Sequence, residues 1–135
     1  MTPRYEQLEH TADIALRIYG WDLQELFVNA AYAMFSQLTD VEHVAPAVRH
    51  VVTVEGTDHE SVLVNWLNEL LYLHETRGEA YSAFDIHELS SHGLRATVGG
   101  EHTEAIEMII KAATYHDLAI SETTGGFVVT VVFDV

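Results

Sequence analysis

Cysteine is absent from this chain, and lysine occurs once, at position 111. The missing thiols remove disulfides, thiolate metal ligands and a cysteine nucleophile together, so any metal must sit on oxygen or imidazole. Proline occurs only twice, and no stretch approaches the roughly 20 apolar residues that cross a bilayer. Neither a membrane span nor a Pro-rich linker is expected. The opening residues, MTPRYEQLEH, hold no apolar run of the signal-peptide kind, and a soluble, cytoplasmic protein is the expectation. Also missing are a phosphate-binding glycine loop, a dinucleotide fingerprint, a nucleophile elbow and an HExxH helix. Their absence argues against an enzyme.

What is present is acid and apolar side chains. The 135 residues are 48% apolar, enough for one core and too few for two, so one domain over residues 1–135 is expected. Six Lys and Arg stand against 21 Asp and Glu, a formal charge of −15. Such a molecule repels a phosphate backbone, which speaks against direct nucleic-acid binding, and attracts cations and basic partners. The same charge also serves plain solubility.

The apolar pattern divides the chain into elements. Ile14, Leu16 and Ile18 alternate with Ala15, Arg17 and Tyr19, the period of a half-buried strand. Gly20 ends it. Asp22 then stands three residues before Glu25, a capping arrangement, and Leu23, Leu26, Phe27, Ala30, Met34, Phe35 and Leu38 recur at helical spacing, predicting a helix over 23–38. Residues 48–55 are β-branched and precede Gly56, which predicts a strand. Thr57 and Glu60 have capping spacing before a stripe of Val62, Leu63, Trp66, Leu67, Leu70, Leu71 and Leu73 that ends ahead of Gly78, a second helix. Its polar side, Asn65, Asn68 and Glu69, is assigned to solvent.

Residues 81–89 and 93–98 flank Ser90, Ser91 and His92, and residues 119–122 and 127–133 flank Gly125 and Gly126, so two hairpins are predicted. Residues 106–113 fit a helical turn as well as a strand and stay open. A short likeness between Phe27-Val28-Asn29 and Leu63-Val64-Asn65, each following a strand pattern, hints at a duplicated strand-helix unit. The fold class expected is α+β, a two-layer domain with two amphipathic helices covering a mostly antiparallel sheet.

Chemistry has few places to reside. The nine histidines fall mostly in turns and strand ends without ligand spacing and read as surface residues. Three local features stand out. Glu9-His10-Thr11-Ala12-Asp13 abuts the first apolar strand; from local pattern it reads first as a turn with Asp13 accepting from backbone donors. Val131-Val132-Phe133-Asp134-Val135 ends an apolar strand in a carboxylate side chain next to the main-chain carboxylate. Both ionise near neutrality, and a cation bridging them to a third acid would relieve their repulsion, with calcium, magnesium or manganese better suited than zinc. A solvated chain end is the plainer reading. Lys111 lies in Lys111-Ala112-Ala113-Thr114-Tyr115-His116 and is either incidental or a cation placed to meet acid.

Together these stretches resemble the archease family over essentially the whole chain. The similarity is carried by His10-Thr11-Ala12-Asp13, by Leu23-Gln24-Glu25-Leu26-Phe27-Val28-Asn29-Ala30-Ala31, by residues 63–73, by Ile110 to His116 and by Val132-Phe133-Asp134-Val135. The resemblance implies a protein cofactor, not itself a catalyst, that promotes guanylylation and multiple turnover of the RNA-splicing ligase of tRNA splicing. It implies a divalent cation, calcium first and magnesium or manganese as alternatives, on Asp13, Asp134 and the carboxylate of Val135. It further implies a functional role for Lys111, with His10 and His116 as neighbours. Asn65, where similar sequences commonly carry an acid, and His74, in place of an apolar or aromatic residue, depart from the pattern. Two other classes compete: an acidic chaperone or adaptor for an RNA-modifying enzyme, and a metal-dependent hydrolase using Asp13, Asp134 and His116, for which no nucleophile is evident.

Overall fold

A computed structural model describes residues 3–8 and 13–135. The strands are β1 (Tyr5–Leu8), β2 (Ile14–Gly20), β3 (Val48–Glu55), β4 (Glu79–Ser90), β5 (Gly93–His102), β6 (Ala112–Ala113), β7 (Ser121–Thr123) and β8 (Gly126–Asp134), and the helices are α1 (Leu23–Leu38) and α2 (His59–Arg77). The α+β class and the two covering helices are as expected, but the strands divide between two antiparallel sheets. One has the order β1-β2-β8-β6, with β7 also on β8; the other has the order β3-β5-β4. One apolar core joins residues of both helices and both sheets.

The expected alternation in β2 is what the fold uses. Ile14, Leu16 and Ile18 are buried with their β8 partners Phe133, Val131 and Val129, so one face of the pair meets the helices. At the head of α1 the Asp22 carboxylate accepts the N–H of Glu25 (2.8 Å), while the Glu25 carboxylate reaches back to the N–H of Trp21 (2.9 Å). Two otherwise unpaired helix-end donors are thereby satisfied. In α2 the cap is not Thr57 with Glu60 but Asp58 with Ser61. The Asp58 carboxylate accepts the Ser61 N–H (2.7 Å), and the Ser61 hydroxyl accepts from the N–H groups of Asp58 (3.1 Å) and Thr57 (2.7 Å). A short carboxylate is a stronger acceptor for a helix N-terminus than a threonine hydroxyl, and Glu60 is left to accept from the Ile120 N–H at 3.1 Å. Gly78 ends α2 in the left-handed region, φ 67°, where a Cβ is disfavoured.

The open segment 106–113 forms no helix. It is extended, and only Ala112–Ala113 pairs as β6. Burial alternates along it: Ile110 is buried, whereas Ile109 is 76% exposed. The working period is therefore two, and the helical match of its isoleucines is incidental.

The hinted repeat is real in structure. The Asn29 side-chain amide donates to the Tyr19 carbonyl (2.7 Å) and the Asn65 amide to the Glu55 carbonyl (2.7 Å), each across ten residues. In both units the seventh residue of the helix is an asparagine that ties off a carbonyl at the end of the preceding strand, the penultimate one in β2 and the last one in β3. The two helices are further locked by Trp66, whose buried indole N–H donates to the Phe27 carbonyl at 3.0 Å.

Candidate functional site

The acidic tip is built by register. Ile14 and Phe133 are the last pair of the β2 and β8 ladder, and Asp13 immediately precedes the one while Asp134 immediately follows the other. Ile14 and Phe133 turn into the core, and Asp134, the next residue along β8, turns outward. On the far side of β8, Ala112 pairs with Asp134 and Ala113 with Phe133. Thus the neighbour of Asp134 on that side is a methyl group, which leaves its carboxylate open. Asp134 and Val135 are exposed and Asp13 is half-buried. Asp13 thus leads into β2, and Asp134 and Val135 close β8.

β6 is too short to hold itself in place, and its position is set from two sides. The Thr114 N–H and hydroxyl both donate to the Val132 carbonyl (3.0 and 2.8 Å), and the Lys111 N–H donates to the Asp134 carbonyl (2.8 Å). From α2, the Asn68 amide grips Ala113 twice: its Oδ1 accepts the Ala113 N–H (2.8 Å) and its Nδ2 donates to the Ala113 carbonyl (3.2 Å). The expectation that Asn68 faces solvent is thereby corrected. A primary amide matches the donor and acceptor of one peptide unit, so an asparagine on the polar margin of a leucine stripe acts as a backbone clamp. Asn65 and His74, the two departures noted above, also bond backbone: Asn65 to Glu55 as described, and His74 Nδ1 to the Glu79 carbonyl at 2.8 Å.

Lys111 follows buried Ile110, is itself exposed, and pairs with no carboxylate among the described residues. His116 sits in the turn after β6, its Nε2 3.3 Å from the Asp117 carboxylate. The register therefore brings Asp13, Asp134 and Val135 to one sheet end with Lys111 beside them on the backbone. His10 lies outside the described residues. Among those residues no three His, Cys, Asp or Glu side chains converge as a ligand set. A cation at the tip would need the terminal carboxylate as its third protein donor. An all-oxygen, carboxylate-rich set of this kind fits a hard cation such as calcium, and offers zinc neither sulfur nor nitrogen.

Two other polar places are distinct from the tip. An open cleft of about 540 Å³ is lined by Arg4, Tyr19, Trp21, Glu25, Asn29 and Phe127, among others. It lies at the Gly20 and Phe127 end of the same ladder, about 20 Å from the acids. On the three-stranded sheet, one Glu79 oxygen accepts from the Tyr81 hydroxyl (2.8 Å) and meets His50 Nε2 (2.7 Å). Burial pushes the Glu79 carboxyl up, but the bonds from Tyr81 and His50, with the charges of His50 and Arg77, outweigh it and hold the pKa below its ordinary value of 4.5. Burial raises the Tyr81 phenol. That cluster ties β3 to β4 across the intervening β5.

The Archease protein family matches residues 5–135. The chain belongs to the archease family. It is 39% identical over 140 residues to the protein archease of Methanosarcina mazei, covering 98% of this chain and 96% of that one. Against the archease of Archaeoglobus fulgidus it is 36% identical over 136 residues, covering 98% and 99%. The solution structure of Methanobacterium thermoautotrophicum protein 1598 superimposes with a TM-score of 0.79 at 33% identity, covering 98% of this chain and 99% of that one. A Thermotoga maritima archease, described as a possible chaperone, shares the fold at TM-score 0.63 and 24% identity over 96% of each chain. No helix among the described residues is long and apolar enough to cross a membrane.

Proposed function

We propose that the chain is an accessory protein that activates the RNA-splicing ligase of tRNA splicing, promoting its guanylylation and repeated turnover, through a divalent cation held at the tip of β2 and β8. The observation that carries this reading is the terminal pair of the β2 and β8 ladder, Ile14 with Phe133, which Asp13 and Asp134 flank in sequence. It is supported by family membership and by the chaperone description of the Thermotoga maritima relative. Asp13, Asp134 and the Val135 carboxylate hold the ion, calcium first, with magnesium or manganese as substitutes. The ion supplies positive charge that relieves repulsion among three carboxylates on one strand pair. Asn68 and β8 hold β6 so that Lys111 stands next to that acidic end, and His10 and His116 border it.

The chain carries −15, so contact with the ligase is through protein and not RNA; the contact is transient, as repeated turnover requires, and cytoplasmic. The test is guanylylation of the ligase, followed with labelled GTP, in the presence of wild type, Asp13→Ala and Asp134→Ala. Wild type accelerates the step and both variants lose the acceleration while keeping the unfolding transition of wild type. Acceleration that survives both substitutions and a chelator would favour the acidic adaptor, in which surface charge alone does the work.

A further inference from the structure

The duplicated strand-helix units differ in one respect, which is what lies along the outer edge of the strand. In the first unit the Tyr19 N–H donates to the Arg4 carbonyl at 3.0 Å, so Ala15, Arg17 and Tyr19 turn their peptide groups toward β1, which pairs along β2. In the second unit the Gly56 N–H donates to the His92 carbonyl at 3.0 Å, and the β3 and β5 register runs without a bulge. Even-numbered residues of β3 therefore bond to β5, and Arg49, Val51, Thr53 and Glu55 turn their peptide groups the other way. This is the edge that β1 covers on β2. On β3, among the described residues, no strand covers it, and the strand packs only on β5 and α2. Val51, in its middle, is 68% exposed. Of the outward peptide groups, the Glu55 carbonyl alone has a partner among the described residues, the Asn65 amide.

We propose that the free edge of β3 pairs antiparallel with β3 of a second copy of this chain, joining two three-stranded sheets into one of six strands. The sequence of β3 selects the register. Opposed residues must share a face, so only steps of two residues are permitted. With Val52 on the two-fold axis, Arg49 stands opposite Glu55 of the second copy and Glu55 opposite its Arg49, while Val51 opposes Thr53. A shift of one step in either direction sets Arg49 against Thr53, or Val51 against Glu55, and loses both charge pairs. A self-complementary strand is what a two-fold interface requires, and a single edge buries little area, which places the dimer among weak, concentration-dependent ones. The acidic tip belongs to the other sheet and stays open in such a dimer.

Sedimentation equilibrium at roughly 0.15 M salt, where the repulsion of net charge is screened beyond about 8 Å, tests this from about 1 to 100 µM protein. Wild type sediments as a dimer at the upper end. Arg49→Glu and Glu55→Arg each weaken association about tenfold or more, and the two together restore it, because the charge pairs re-form with exchanged signs. Val51→Pro gives a monomer whose urea unfolding remains cooperative, since the lost N–H points away from β5. A wild type that is monomeric at about 100 µM overturns the proposal, as does a dimer indifferent to Val51→Pro and to charge reversal. A monomeric wild type whose binding to the ligase is lost in Val51→Pro assigns the edge to a partner strand and also overturns it.

Discussion

Removing the amide that fastens β6 to α2 should cost far more than its surface position suggests. Asn68→Ala deletes two hydrogen bonds to Ala113, each contributing about 0.5–1.5 kcal/mol. It also strands the N–H of Ala113, a residue only 4% exposed, and an unsatisfied buried donor costs about 1–3 kcal/mol. Allowing for partial access of water, the loss is about 2–3 kcal/mol, or roughly 10 °C in Tm for a chain of this size. Urea unfolding followed by the fluorescence of Trp66, fully buried in the core, measures it. Asn65→Ala is the matched control, since it removes one exposed bond to Glu55 and should cost about 1 kcal/mol. Asn68→Asp keeps the acceptor and loses the donor, so it falls between wild type and Asn68→Ala near neutral pH. An Asn68→Ala variant within about 0.5 kcal/mol of wild type, or equal to Asn65→Ala, would refute the clamp.

Three further outcomes follow from other parts of the fold. Gly126 has φ 134°, and a Cβ there would lie 2.2 Å from the Gly20 carbonyl oxygen; Gly126→Ala should lower stability by about 2 kcal/mol or more, read as a drop in the urea midpoint. Asp58→Ala removes the α2 cap and should cost about 1 kcal/mol, with Asp58→Asn recovering most of it. Because the folded Glu79 carboxyl titrates below its ordinary 4.5, its ionised form stabilises the fold fully above that value. The contribution disappears as pH falls through the lower, folded value. The stability gap between wild type and Glu79→Gln should be fully open at about pH 5 and close as pH falls below 4.5; a gap that widens on acidification contradicts the sign of that shift.

Where the chain is locally self-consistent, the sequence is readable residue by residue. β2, α1 and β3 were legible because alternation, a capping aspartate and β-branching each coincide with a glycine at Gly20 or Gly56. The cap of α2 was misplaced by one residue because Thr57 and Asp58 both precede the stripe and only geometry shows which oxygen meets the helix N–H groups. The split into two sheets was illegible, since it depends on β3 joining β5 while β2 joins β8. Those pairings are long-range and leave no local pattern. β6 was equally hidden, since two alanines carry no strand signal and are held by Val132, Asp134 and Asn68. At the tip, the acids themselves were visible as Asp13 and Asp134, but their adjacency came only from the likeness to a family and then from the ladder of Ile14 with Phe133. Asn68 was passed over because its position on the helix reads as solvent-facing, and nothing in the sequence shows a peptide group waiting opposite.

The central claim meets its most direct test in turnover by an RNA-splicing ligase held far below its RNA substrate in concentration, with calcium, magnesium or manganese supplied separately. Many joined products per ligase are expected when wild type is added, and close to the unassisted level with Asp134→Ala, which removes an exposed carboxylate and leaves the core intact. A ligase that turns over equally with Asp134→Ala, or that gains nothing from wild type under any of the three cations, would contradict it.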